Sequence, residues 1–203
     1  MRTLVIDGHP NPDSLCSSLA RRYAEANVNA SVLALRDLDF DQNMRFGYTR
    51  RQDLEPDLEL AWRLMLDADH IVIVTPIWWG SVPALLKGFF DRVLLPRRAY
   101  QVRSNGTVRG LLAGRTGHII VTSDSPRWYL ALVGDTTVRH VRQTTLRFCG
   151  IRSVGVTRLG PVRGSTSDQR DTWLAKVARL GSADGRRHST SSDPARDAIP
   201  AKL

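Results

Sequence analysis

Lysine is nearly absent from this chain. Of its 29 basic residues only Lys87, Lys176 and Lys202 are lysines; the others are arginines spread singly or in pairs along the sequence. The formal net charge of +9 therefore comes without a polybasic run, and a nucleic-acid-binding role, which needs clustered cations to neutralise phosphates, is kept only as an alternative. The excess instead favours small anions, phosphates included, near any cleft. Cysteine is also scarce: Cys16 and Cys149 stand alone, without CxxC spacing or nearby histidines. A structural metal is not expected, and a reducing compartment suits two ordinary thiols. Long apolar runs are missing too. The opening stretch MRTLVIDGHP reaches Asp7 after a few apolar residues, and no segment approaches the roughly 18 needed to span a membrane. Cytoplasmic placement is the expectation.

What is present is an alternation. With 203 residues and 42% hydrophobic content the chain can bury one sizeable core. Five short aliphatic runs, TLVI (3–6), SVLAL (31–35), HIVIVT (70–75), GHIIVT (117–122) and SVGVTRL (153–159), read as strands buried on both faces. Between them apolar residues recur at helical spacing: Leu15, Leu19 and Tyr23; Leu58, Trp62 and Met65; Leu86, Phe90 and Val93 after Pro83; Val138, Val141, Thr145 and Phe148; Trp173, Val177 and Leu180. Strands alternating with helices predict an α/β fold, a doubly wound parallel sheet with right-handed crossovers. Gly181 reads as the last helix stop, giving one domain over 1–181 and a disordered tail over 182–203. Two stretches break the rhythm: an irregular link over 37–55 and an excursion or hairpin over 96–116.

Ligands of such sheets bind beyond the carboxyl ends of the strands, at the point where strand order reverses. For an order of 2-1-3-4-5 that point lies between the first and third strands, so two connections matter. The first, DGHPNPDSLCSS (7–18), lacks both G-x-G-x-x-G and a P-loop ending. It does place Ser14, Leu15, Cys16 and Ser17 at a helix start, where free N–H groups favour a phosphate; the bland reading of Ser14 is a plain N-cap. The second connection is TPIWWGSVP, with Pro76, Ile77, Trp78, Trp79 and Gly80. Paired tryptophans usually mean core packing, but beside a phosphate site they suit a planar aromatic cofactor.

The stretches GHPNPDSLCSSLA, PIWWGSVPALLKGFFDRV and TLRFCGI (145–151) resemble those of the NAD(P)H:quinone oxidoreductase family, flavodoxin-like flavoenzymes that include modulator of drug activity B and the ancillary reductase of potassium-efflux systems. The similarity covers roughly residues 2–181. The resemblance implies a flavin, FMN in first place and FAD as the alternative, with its phosphate on the loop from His9 to Ser17. Its isoalloxazine ring would pack along Pro76, Ile77, Trp78 and Trp79. It also implies a homodimer with the active site at the subunit interface.

In relatives a third, glycine-rich loop addresses the flavin's pyrimidine edge through backbone N–H groups. Here it reads TSDSPRWY, with Thr122, Ser123 and Asp124, and the expectation is that Asp124 points away or caps the loop while the backbone takes the functional role. Tyr129 aligns with a family tyrosine that assists the reaction and is the candidate catalytic side chain. Val133 stands where well-known relatives carry a histidine before Gly-Asp. His118 and His140 read as structural. The implied activity is ping-pong hydride transfer from NAD(P)H to a quinone or related aromatic acceptor, a polyketide-like aromatic of a biosynthetic pathway among them. A flavodoxin-like one-electron carrier is the alternative within the same fold, and a stable semiquinone without NAD(P)H oxidation would mark it.

Overall fold

The computed structural model describes residues 2–132 and 134–187. In chain order its strands are β1 (Thr3–Asp7), β2 (Ala30–Ala34), β3 (His70–Pro76), β4 (Tyr100–Val102), β5 (Val108–Gly110), β6 (Thr116–Thr122) and β7 (Ser153–Leu159). The helices are α1 (Leu15–Glu25), α2 (Pro56–Asp67), α3 (Ala84–Val93), α4 (Arg127–Leu132), α5 (Thr136–Arg139) and α6 (Ser167–Arg187). Five strands form one parallel sheet in the order β2-β1-β3-β6-β7. Strands β4 and β5 pair antiparallel as a separate hairpin within the 96–116 excursion. With that hairpin set aside, the order is the 2-1-3-4-5 that the sequence predicts.

The sheet separates two apolar layers because alternate strand residues face opposite sides. Leu4, Ile6, Ile71, Ile73, Ile119 and Val121 pack with α2, α3 and the segment carrying Val138, Val141 and Leu146. Val5, Val72, Val74 and Ile120 pack with α1 and α6. The period over Val138 to Phe148 is real, but its hydrogen bonding changes midway: α5 runs on into a π-helix over His140–Arg147. Side-chain spacing specifies the buried face and not the bonding register, so the sequence shows the element without its type.

The irregular link over 37–55 is held by a side chain from α3. Arg92 is 1% exposed, and its guanidinium donates to the carbonyls of Asp41 and Asp53 and, at 3.1 and 2.8 Å, to the two carboxylate oxygens of Glu55. A buried arginine requires this many acceptors, and a non-helical segment can turn its carbonyls inward to supply them. Glu55 in turn precedes Pro56 at the start of α2.

The last helix departs from expectation. It does not stop at Gly181 but continues to Arg187, so residues 182–187 belong to the folded unit; residues 188–203 of the expected tail lie outside the described residues. Gly181 is a point of close approach. A Cβ there would come 2.3 Å from the Tyr23 carbonyl oxygen on α1. One turn on, buried Asp184 accepts the Tyr23 hydroxyl at 2.7 Å, with His70 Nε2 3.6 Å from the same carboxylate oxygen. Burial of Tyr23 and its carboxylate partner raises the pKa of the phenol. The helix therefore docks its final turns by backbone proximity and a buried polar contact. Neither leaves an apolar period in the sequence.

This packing reverses the usual sign of a helix substitution. Replacing an interior helical glycine by alanine ordinarily stabilises by about 0.5–1 kcal/mol, whereas Gly181→Ala is expected to destabilise by about 1–3 kcal/mol through overpacking. Urea unfolding followed by circular dichroism measures the difference.

Candidate active site

Three connections, after β1, β3 and β6, meet at the carboxyl edge of the sheet. Together with Val162 from the segment after β7 they enclose a cleft of about 240 Å³. Its lining brings together ten of the sequence-predicted site residues: His9, Ser14, Leu15, Cys16, Pro76, Ile77, Trp78, Thr122, Ser123 and Asp124. The geometry that gathers them starts from a buried charge.

Asp7 closes β1 and is 1% exposed. Its Oδ1 accepts the backbone N–H of His9 at 3.1 Å, and its Oδ2 accepts the Ser17 hydroxyl at 2.7 Å and Arg36 Nη1 at 2.6 Å. The same guanidinium nitrogen reaches the His9 carbonyl at 3.3 Å. An unpaired carboxylate could not be buried at this depth; with one cation and two neutral donors it ties strand, loop, α1 and the exit of β2 together. Sequence reasoning missed Asp7, although it stands at the end of a buried strand inside the quoted loop. It also missed Arg36, for which no local signal exists among so many arginines.

The helix start above this carboxylate has two spare donors. Ser14 caps α1, its Oγ accepting the Ser17 N–H at 3.1 Å. Among the described residues nothing accepts the N–H groups of Leu15 or Cys16, and these sit in the cleft lining. That is the donor arrangement of an anion site at a helix N-terminus. Ser17 differs from expectation. It is buried and absent from the lining, its hydroxyl serves Asp7, and its N–H serves the cap, so it positions the loop from beneath.

His9 Nδ1 accepts the Asn11 N–H at 3.0 Å. Desolvation lowers the imidazole pKa, so the neutral ring carries its proton on Nε2. The ring meets Trp78 edge-on at 5.3 Å between centroids, linking the first and second loops. Cys16 lies 3.2 Å from the Thr122 hydroxyl and joins the first loop to the third. Burial pushes its thiol up to about 12, so it serves as a neutral packing group.

The second loop turns sharply. Trp78 and Ser81 exchange both backbone hydrogen bonds at 2.9 Å, and Trp79 and Gly80 between them have φ of 50° and 70°. That is the pattern of a two-residue hairpin turn with both central residues left-handed. Its consequence corrects the paired-tryptophan reading: Trp78 lines the cleft, whereas Trp79 projects wholly into solvent. Gly80 is not in the lining either, and its carbonyl accepts the Thr136 hydroxyl at 2.6 Å.

The third loop is braced by the segment following β7. Ser123 donates its N–H to the Leu159 carbonyl at 3.2 Å and accepts the Val162 N–H at 3.0 Å. Asp124 Oδ1 accepts the Arg163 N–H at 2.6 Å. The Asp124 carboxylate thus caps the segment after β7 and not its own loop. The backbone role expected of this loop narrows to the N–H groups of Asp124 and Ser125, which meet no acceptor among the described residues. Tyr129, on α4, is half-exposed and is not in the lining; its ring stands edge-on to Trp128 with centroids 6.0 Å apart. Val133 lies outside the described residues. His118, expected to be structural, has its Nε2 2.9 Å from the Thr157 hydroxyl on the neighbouring strand.

Known proteins resemble this chain in sequence and fold. The profile of the flavodoxin-like fold family matches residues 1–180. An FMN-dependent NADH:quinone oxidoreductase of Stenotrophomonas maltophilia is 30% identical over 83% of this chain and 86% of its own length. An uncharacterized NAD(P)H oxidoreductase of Haemophilus influenzae is 29% identical over 88% and 93%. Among solved structures, Smu.1420 from Streptococcus mutans superimposes with a TM-score of 0.82 at 31% identity, covering 90% of this chain and all of that one. On these matches, the chain belongs to the flavodoxin-like fold family that contains the NAD(P)H:quinone oxidoreductases.

Proposed function

We propose that the protein is an FMN-dependent NAD(P)H:quinone oxidoreductase. The observation that carries this reading is the convergence of three loops on one cleft. Two helix N-terminal N–H groups with no acceptor among the described residues stand at one part of its wall, an indole ring at another, and two such loop N–H groups at a third. The Stenotrophomonas relative, by its name, uses FMN and NADH, and the residues present here fit that cofactor.

Each part of the cleft would hold one part of FMN. The N–H groups of Leu15 and Cys16 receive the phosphate, with the neutral His9 Nε2–H as a further donor. Pro76, Ile77 and Trp78 provide an apolar wall for the ring system, and the N–H groups of Asp124 and Ser125 address its polar edge. When bound, FMN would supply two-electron hydride chemistry between NAD(P)H and a quinone or related aromatic acceptor, the two using the same slot in turn in a ping-pong sequence. The protein's share is to present one ring face, exclude water from the other, and hold fixed donors where negative charge develops. Tyr129 and the solvent-directed Trp79 lie outside the lining of their own cleft. Together with Trp128 at 69% and Leu132 at 77% exposure they give an apolar rim suited to a second copy of the chain, so that substrate is enclosed between subunits of a homodimer. Among the described residues no helix is long and apolar enough to cross a membrane, which accords with a cytoplasmic setting. A tailoring step on an aromatic natural product is one setting for the acceptor half-reaction.

Steady-state kinetics test the activity. NAD(P)H oxidation with menadione should give parallel double-reciprocal lines as the second substrate is varied, whereas intersecting lines would exclude a shared slot. Ser14→Asp keeps a good N-cap, so α1 should remain folded by circular dichroism. The added carboxylate would oppose the phosphate, and FMN binding should weaken by at least about 1.5–3 kcal/mol; fluorescence titration reads the loss. The two tryptophans should separate in effect. Trp78→Ala should cost about 0.5–1.5 kcal/mol of FMN affinity through the lost ring contact. Trp79→Ala should retain FMN and change dimerisation or acceptor KM, measured by light scattering and turnover.

A further inference from the structure

At the other end of the sheet, by the amino ends of β6 and β7, lies a second and larger cleft of about 770 Å³. Arg103 and Arg109 enter it from the β4–β5 hairpin, Arg147 from the end of the π-helix, Arg152 from the turn before β7, and Arg115 from the turn before β6. Among the described residues no carboxylate lines it. Among the described residues no ion pair neutralises Arg103, Arg109, Arg147 or Arg152. Elsewhere several arginines are paired, as with Arg36, Arg92, Arg98 and Arg158. Four uncompensated guanidinium groups on one concave surface repel one another, and a cleft lined by one sign of charge focuses a potential that draws counter-ions.

The cleft is built by the fold and is not a chance meeting of loose side chains. Leu112, just beyond the hairpin, donates its N–H to the Cys149 carbonyl at 2.8 Å. Tyr100 of β4 meets Phe148 edge-on at 4.8 Å between centroids. Arg147 Nε is spent on the Arg152 carbonyl at 3.2 Å, which fixes the guanidinium and leaves its terminal nitrogens for another acceptor. Arg115 is largely buried and gives its donors to the last carbonyls of α2, those of Met65, Leu66 and Ala68. It is a structural wall on which the opposite charge of Asp67 acts, while the four exposed arginines form the mouth.

We propose that this cleft is a second, independent anion site that takes a small oligophosphate, two or three linked phosphates bound by the exposed guanidinium groups of Arg103, Arg109, Arg147 and Arg152. Arginine matches phosphate through bidentate, charge-assisted hydrogen bonds, and several forks around one cleft suit adjacent phosphates better than a lone monoanion. The half-exposed ring of Phe148 on the same wall gives a base a surface to lie on, so a nucleoside diphosphate falls within the same chemistry. The site does not depend on the flavin cleft of the same chain. Strand β6 separates the two clefts along its length, about 20 Å at some 3.3 Å per residue.

Isothermal titration calorimetry of the full-length, FMN-loaded protein with inorganic tripolyphosphate, pyrophosphate and phosphate tests the proposal, since bound FMN keeps the α1 N-terminus occupied. The expected result is one tripolyphosphate per chain, weaker pyrophosphate, little phosphate, and affinity that falls with added salt. Arg109→Ala/Arg152→Ala, two changes at exposed positions, should weaken tripolyphosphate by about ten-fold or more while leaving the flavin spectrum and melting temperature unchanged. ADP binding tighter than pyrophosphate, with the advantage lost in Phe148→Ala, would extend the site to a nucleotide. No binding at millimolar tripolyphosphate overturns the proposal. So does equal affinity in the double variant, or a signal that proves to be displacement of FMN.

Discussion

A single buried carboxylate organises the working edge of this protein. Asp7 ends β1 under the first loop, where water cannot reach it, and its charge must be answered by neighbours. Arg36, arriving from the exit of β2, answers the charge; the Ser17 hydroxyl and the His9 N–H satisfy the remaining lone pairs. The loop cannot relax without breaking one of these contacts. The start of α1 is therefore fixed in space, and Leu15 and Cys16, whose N–H groups meet no acceptor among the described residues, are held in the cleft lining. Rigid donors are what an anion site needs, because they bind without first paying to be ordered.

The other walls follow by linkage to that fixed point. His9 touches Trp78, Cys16 touches Thr122, and Ser123 and Asp124 are braced by the segment after β7. The cleft is thus a set of loops locked pairwise, each to the next strand's connection. The opposite end of the sheet is built differently. There the arginines of the hairpin and of the turns before β6 and β7 meet with no carboxylate among the described residues of the lining, and the charge that the flavin edge compensates internally is left for a ligand.

Much of this was legible beforehand, for identifiable reasons. Strands buried on both faces write themselves as aliphatic runs, and helices between them as apolar periods, so the parallel order and the cleft between β1 and β3 could be read from pattern and topology. Ten of the residues expected to hold the cofactor do line one cleft. The misreadings share a cause, which is that backbone geometry leaves little trace in composition. Trp79 was paired with Trp78 by adjacency, yet a left-handed turn sends the two rings in different directions. Gly181 carries the composition of a helix stop, whereas it is where α6 touches α1 and runs on to Arg187. Ser17 stands in the first loop among the expected phosphate contacts, and its hydroxyl is taken by the buried Asp7 beneath the loop.

The sequence by itself determined the elements, their order and the loops that carry the site, because burial and periodicity are local properties of neighbouring residues. Only the tertiary structure decided which arginine neutralises Asp7, which tryptophan faces the cleft, and that five dispersed arginines share a second cavity. Those facts join residues far apart in the chain, brought together by the parallel crossovers, and charge pairing across such distances has no signature along the sequence.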